Sequence, residues 1–345
     1  ISNKGNRYSL YLYNLDDKRI HKLDGPSTFW ENGYRSSMTT YKSDTPEGPW
    51  VIWYANNDQI KEQGFHQNGT KEGLTTYYYD DGKMQREGFF QNGLPDGIWT
   101  YWNKKGDKDF DFDFGSGLEH ISLEDLVERE STFFKLGEDN PFTGIITQEN
   151  PETDYLFLGR TKNGKKDGQW VKWFPSGKDV PEVILVDVPT PEPDLPWSGG
   201  KQEQGGYKEG KKHGEWTEWY DNEHIKSHGK YESGVMNGYW TFYHTNGIKE
   251  KEGSLENGNA DGLWVFYDKE SNKIQEGSFT NGIKEGQWTA WFEDGRITEG
   301  YYLNGKKDAA WTSWWDYERT RKEMKGAYRN GKMVDKWFFY DKSGN

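Results

Sequence analysis

Four aspartates at alternate positions, Asp107, Asp109, Asp111 and Asp113, come nearest to a chemical motif in this chain. Calcium loops space carboxylates in that way, because a hard cation gathers several oxygens around a sharp turn. The glycine that such a turn needs arrives one place late, at Gly115, and Glu119 is one place off the closing position. Alternation with Phe110, Phe112 and Phe114 describes an amphipathic strand with solvated acids equally well, and that is the reading adopted. His224 and His228 would share a strand face at a separation of about 13 Å, too far for joint metal ligands.

Other chemistry is not visible. The chain has no cysteine, so it has no thiolate nucleophile, thiolate metal site or disulfide framework. Gly-x-Ser-x-Gly, P-loop and dinucleotide-binding patterns are missing, and the many paired carboxylates fall in turns, where Asp and Glu serve backbone geometry. The reading is a non-enzyme with no catalytic residue, no metal and no cofactor.

The elements that carry these residues repeat. Trp216, Trp240, Trp264 and Trp288 recur every 24 residues, each two places after Gly214, Gly238, Gly262 and Gly286. Trp311 and Trp337 continue the series with small slips, and Trp50, Trp99 and Trp170 stand behind Gly48, Gly97 and Gly168. Weaker copies at Gly25-Pro-Ser27, Gly73-Leu-Thr75 and Gly144-Ile-Ile146 fill gaps, giving about fourteen slots by the spacing of the repeats. Each unit holds two turn signals, as at Asn246-Gly247 and Asn257-Gly258, and Asn-Gly is a strong hairpin signal because both residues tolerate positive φ. What remains between the turns is two strands of ordinary length. The expected fold is all-β: an elongated single-layer antiparallel meander of stacked hairpins, each about 24 residues long.

Composition agrees. Only 32% of residues are hydrophobic but 17% are aromatic, and rings of that size can shield a thin structure that aliphatic residues would not fill. A net charge of −13 argues against nucleic acid and against general attraction to anionic membranes. There is no apolar run long enough for a transmembrane helix. The non-Met start at Ile1 is consistent with processing of a precursor.

Interruptions divide the array. Residues 1–106 and 141–180 read as repeats, and 107–140 as a divergent acidic insertion with a degenerate repeat. Residues 181–205 read as a Pro/Gly-rich linker or loop, and 206–345 as C-terminal repeats with a capping end. Ser122-Leu-Glu-Asp125 has the pattern that opens a short helix.

In a strand the Trp and the residue three places on point to opposite faces. The second column is uniformly aromatic (Trp53, Trp102, Trp173, Trp219, Tyr243, Tyr267, Trp291, Trp314, Tyr340) and reads as the structural face. The second-strand glycines Gly229, Gly253, Gly277 and Gly300 fit with it, as places where a neighbouring ring lies on backbone. The opposite face joins the Trp column to a variable residue two places on: Ile52, Tyr101, Lys172, Glu218, Phe242, Phe266, Ala290, Ser313. Variation inside a fixed frame makes Trp50, Trp99, Trp170, Trp216, Trp240, Trp264, Trp288 and Trp311 the candidate interaction face. The competing reading is that this column is a packing ladder too.

The units Asn-Gly-x-x-(Asp/Glu)-Gly-x-Trp-x-x-(Trp/Tyr) resemble the bacterial variant of the MORN repeat, found in YwqK-like proteins. The stretch from Leu126-Val-Glu-Arg129 to Asn140-Pro-Phe-Thr-Gly144 is similar to their degenerate opening unit. The resemblance implies stacked hairpins with roles in scaffolding, protein association and membrane contact. The function expected is a non-enzymatic scaffold for other proteins, as part of a multiprotein bacterial envelope or surface assembly or in a secreted setting. A glycan-binding surface of exposed aromatic rings is the alternative.

Overall fold

The computed structural model describes residues 23–31, 33–55, 57–148, 157–173 and 200–345. The chain divides into two units, residues 1–120 and 121–345. The first holds an eight-stranded antiparallel sheet, from Gly25–Glu31 at one edge to Lys108–Asp113 at the other, in strict chain order. The second is built on a sixteen-stranded sheet that ends at Lys332–Phe339, with His120–Ser122 at its other edge and a separate hairpin, Leu126–Arg129 with Thr132–Lys135. Each long strand packs chiefly on the strands before and after it, so each sheet is a single-layer meander of stacked hairpins. No α-helix occurs among the described residues. The expected short helix at Ser122 is one 3-10 turn, Leu123–Asp125, because Ser122 makes no side-chain cap and Leu126 is already extended.

One unit shows why the sequence folds this way. The strand Val235–Tyr243 pairs with Lys249–Glu256, which pairs with Asn259–Tyr267. Asn257 and Gly258 join the last two with φ of 51° and 81°, the doubly positive turn that matches strand twist. Next comes a bulge: Gly253 faces Trp264 while Ser254 faces Asp261, leaving Gly262 and Leu263 as extra residues on that side. A bulge re-aims the side chains that follow it, here turning each Trp onto the backbone of the strand before.

The remaining motif residues tie one unit to the next. In several units the acidic residue before the bulge accepts a hydrogen bond from the backbone N–H of the following turn, among them Glu47 from Asn68 (2.7 Å), Glu72 from Asn92 (2.8 Å), Glu285 from Asn304 (2.8 Å) and Asp308 from Asn330 (2.9 Å). Thr143 does the same for Asn163 at 2.8 Å, so Thr143-Gly144 stands in for the acidic pair at the degenerate unit. At the opposite edge, turn carboxylates and amides bind their own loops, as Asp268 does with the N–H groups of Glu270 and Asn272.

The acidic run is a strand. In Lys108–Asp113, Phe110 and Phe112 are buried while the aspartates between them are exposed. Asp111 binds Thr100 and Lys108, each at 2.8 Å, and Asp113 caps the N–H of Gly115. The proline-rich residues 181–199 lie outside the described residues. Lys201–Gly205, placed in the linker by the sequence reading, instead begin the strand Lys201–Lys208, paired on both sides.

Candidate functional site

The eight tryptophans expected on an interaction face are in the core. Trp50, Trp99, Trp170, Trp216, Trp240, Trp264, Trp288 and Trp311 are only 1–5% exposed. The cause is the second-strand glycine, which belongs to the Trp face and not to the opposite one. A Cβ on Gly229 would lie 2.3 Å from the ring of Trp240, and the same fit recurs at Gly205 under Trp216 and Gly277 under Trp288. The indole N–H of Trp240 donates to the carbonyl of Lys230 at 3.1 Å, and Trp99, Trp170, Trp216, Trp264, Trp288 and Trp311 each reach the carbonyl ten residues back in the same way.

Rings two places after each glycine complete the cover. Tyr207, Tyr231, Tyr302 and Tyr328 stand edge-on between successive tryptophans, with centroids 5.0–5.9 Å from their neighbours. Edge-to-face pairs of this separation are favourable beyond their buried area. Trp50 departs from the pattern: its partner on the preceding strand is Thr39 instead of Gly, and its indole N–H finds no acceptor.

The opposite column, read from sequence as structural, is only half-buried. Its hydroxyls serve sheet-edge contacts, as where Tyr267 donates to Glu252 at 2.9 Å. The two faces therefore exchange roles. Alternation separates the columns but does not say which one a neighbouring glycine will receive.

Two further sets of residues were not singled out by sequence reasoning. The first is a lysine four residues before the Trp position, present in the units of Trp170, Trp216, Trp288 and Trp311 and replaced in others, as by Pro95, Met236 and Ala260. Its ammonium lies over the indole: Lys166 over Trp170 (4.6 Å), Lys212 over Trp216 (3.9 Å), Lys284 over Trp288 (3.8 Å), Lys307 over Trp311 (4.1 Å). Lys71, whose own unit has Thr75 in the indole slot, lies over Trp50 at 4.5 Å. Burial pulls the ammonium groups of Lys166, Lys284 and Lys307 below the ordinary lysine value. Lys71 is also desolvated, but Tyr77 and Glu62 beside it hold it above that value.

The second is a row of exposed apolar side chains in the first unit. Phe65, Leu74, Phe89 and Ile98 are 44%, 49%, 56% and 63% exposed. They lie on four consecutive strands, and each neighbours a residue of the Trp face in sequence, so all four project from the other face. Leu74 and Phe89 are direct cross-strand partners. Alternation alone carried this signal.

Groups considered for metal or acid–base work are engaged in the fold. His224 lies in the turn before the strand Ile225–Glu232, not on it, with Nδ1 2.8 Å from the carbonyl of Thr245. His228 is on that strand, beside Thr217 at 2.9 Å. Among the described residues no three His, Asp or Glu side chains gather as a metal-ligand group. A hollow along the turns at Asp268–Lys273 and Phe292–Arg296 is open to solvent. Its two aspartates are engaged, Asp268 with its own turn and Asp294 with Arg296 at 2.8 Å.

Comparison with known families agrees with this geometry. The MORN repeat variant matches the chain at residues 71–92 and 212–233, each beginning at the lysine and running through its strand, the next turn and the following strand. That repeat is a non-catalytic unit associated with scaffolds for protein or membrane interaction. No curated protein matches the chain.

Proposed function

We propose that this protein is a non-catalytic scaffold that docks other proteins on the sheet face opposite its tryptophans. The observation that supports this reading is the row Phe65, Leu74, Phe89 and Ile98, four apolar side chains left in water on adjacent strands. Isolated exposed apolar residues are ordinary, but contiguous ones mark interaction sites. The indoles are committed to glycine backbone and carbonyl oxygens, so they are not themselves the docking surface. We place the scaffold in a bacterial envelope or surface assembly, which fractionation of the source cells would test. The glycan alternative loses the eight buried indoles as platforms and keeps only the half-open rings of the opposite column.

The test is a paired substitution, Leu74→Ser with Phe89→Ser, in the full chain. Crosslinking in the source cells should show a discrete partner with the native chain and lose it with the variant, at an unchanged melting temperature. Retention of the partner by a folded variant would remove this face from the account.

A further inference from the structure

We infer that Lys284 and Lys307 form a docking site for the carboxylates of an acidic, extended segment of a partner protein. The inference rests on the scaffold reading and adds a second contact, on the tryptophan face of the second unit and apart from the row Phe65, Leu74, Phe89 and Ile98. It starts from what the same lysine slot holds elsewhere in the chain. Lys71 binds Glu62 at 3.0 Å, and Lys212 binds Glu203 at 3.1 Å and Glu218 at 3.6 Å. Those carboxylates come from two fixed positions, two residues before the strand glycine and two residues after the Trp. The chain itself therefore shows which ligand this cation-and-ring cradle accepts.

At Lys284 the two positions hold Gln275 and Ala290, which pair with each other in the ladder. At Lys307 they hold Thr298 and Ser313, whose hydroxyls bond to one another at 2.6 Å. Neither lysine makes an ion pair among the described residues. The nearest motif acids are spent on turns, Glu285 on the N–H of Asn304 and Asp308 on that of Asn330.

Both ammonium groups are nevertheless held in place. Lys284 also lies 5.3 Å from the ring centre of Tyr302, and Lys307 lies 5.2 Å from that of Tyr328. Each is partly desolvated, and the Lys307 charge adds to the strain on Lys284. A cation already partly desolvated and already oriented gains more from an incoming anion than a free surface lysine does.

Spacing selects the ligand. The two slots are one hairpin apart, two strand spacings, or about 10 Å. A peptide in the extended polyproline II conformation rises about 3.1 Å per residue and returns to the same side every three residues, so acidic side chains three residues apart match both slots. A single phosphate does not span them.

Calorimetric titration of the full chain with hexaglutamate tests this. The native chain should bind, and Gln275→Glu with Thr298→Glu, which supplies each lysine with an internal carboxylate, should weaken binding at least tenfold with no loss of melting temperature. Lys284→Gln with Lys307→Gln should weaken it as much, and Lys212→Gln should leave it unchanged. The proposal is overturned if hexaglutamate does not bind the native chain or binds the Gln275→Glu/Thr298→Glu protein equally well. It is also overturned if inorganic phosphate or anionic lipid vesicles bind and hexaglutamate does not. Such a failure leaves the Leu74/Phe89 test of the scaffold reading standing.

Discussion

Trp240 lies flat on the backbone of Gly229, so closely that a Cβ there would stand 2.3 Å from Cδ2 of the indole. Direct contact with glycine backbone is how a one-layer sheet hides its largest side chain with no second layer to pack against. Gly229→Ala should therefore destabilise the protein by about 1–3 kcal/mol through overpacking. In a Trp240→Ala background the same change should have little effect. A double-mutant cycle by denaturant unfolding reads the coupling directly, and additive effects would mean that the two residues do not share this contact.

Ala309 occupies the bulge position that glycine fills in earlier units, with φ of 54°. An L-residue there is strained by its Cβ. Ala309→Gly should raise stability by up to about 1 kcal/mol, read as an upward shift of the melting temperature. A fall would show that the alanine methyl contributes packing that outweighs the strain.

Asp316 gathers the loop after the strand Lys306–Trp314. It accepts from the N–H of Thr320 (2.8 Å), the hydroxyl of Thr320 (2.9 Å) and the N–H of Arg321 (2.9 Å). These bonds hold its carboxyl below the ordinary aspartate value of 3.8. A depressed folded pKa means stability that is fully present above the unfolded value and lost as pH falls through the folded one. Asp316→Asn should thus lower the melting temperature at neutral pH, with the gap to the native chain closing as pH falls below about 3.8. A gap that stays constant into strong acid would show that the carboxylate charge plays no part.

Lys212 is clamped between Trp216, Glu203 and Glu218, whereas Lys284 has rings alone. Removing one partner of a half-buried pair leaves the other charge unmatched. Lys212→Met should destabilise more than Lys284→Met, because the latter exchanges a desolvated cation for an apolar chain of similar length. Comparison of the two by urea unfolding checks this, and the reverse order would contradict the assignment of ion pairs.

Much of the fold was legible because its determinants are local. Asn257-Gly258 fixes a turn and Gly262 a bulge with no outside help, so period, strand length and all-β class follow from residues close in sequence. The weak copies Thr75 and Ile146, each fully buried in the indole slot, were legible by spacing alone. The working face was not. Trp264 and Tyr267 are both aromatic on opposite sides of one strand, and what buries Trp264 is Gly253, eleven residues back on the neighbouring strand. Choosing between them needs the register across the bulge, which spacing within one strand does not contain. The lysines were hidden for a related reason: Lys284 reads as a turn residue until the strand pairing lays it over Trp288.

The central claim is that the tryptophan column is the core and the opposite column is half-open. Urea unfolding of Trp264→Ala and Tyr267→Ala tests it most directly. The account predicts a loss of about 3–5 kcal/mol for Trp264→Ala, as for a large buried ring, and a clearly smaller loss for Tyr267→Ala. Equal losses, or a larger one for Tyr267→Ala, would contradict it.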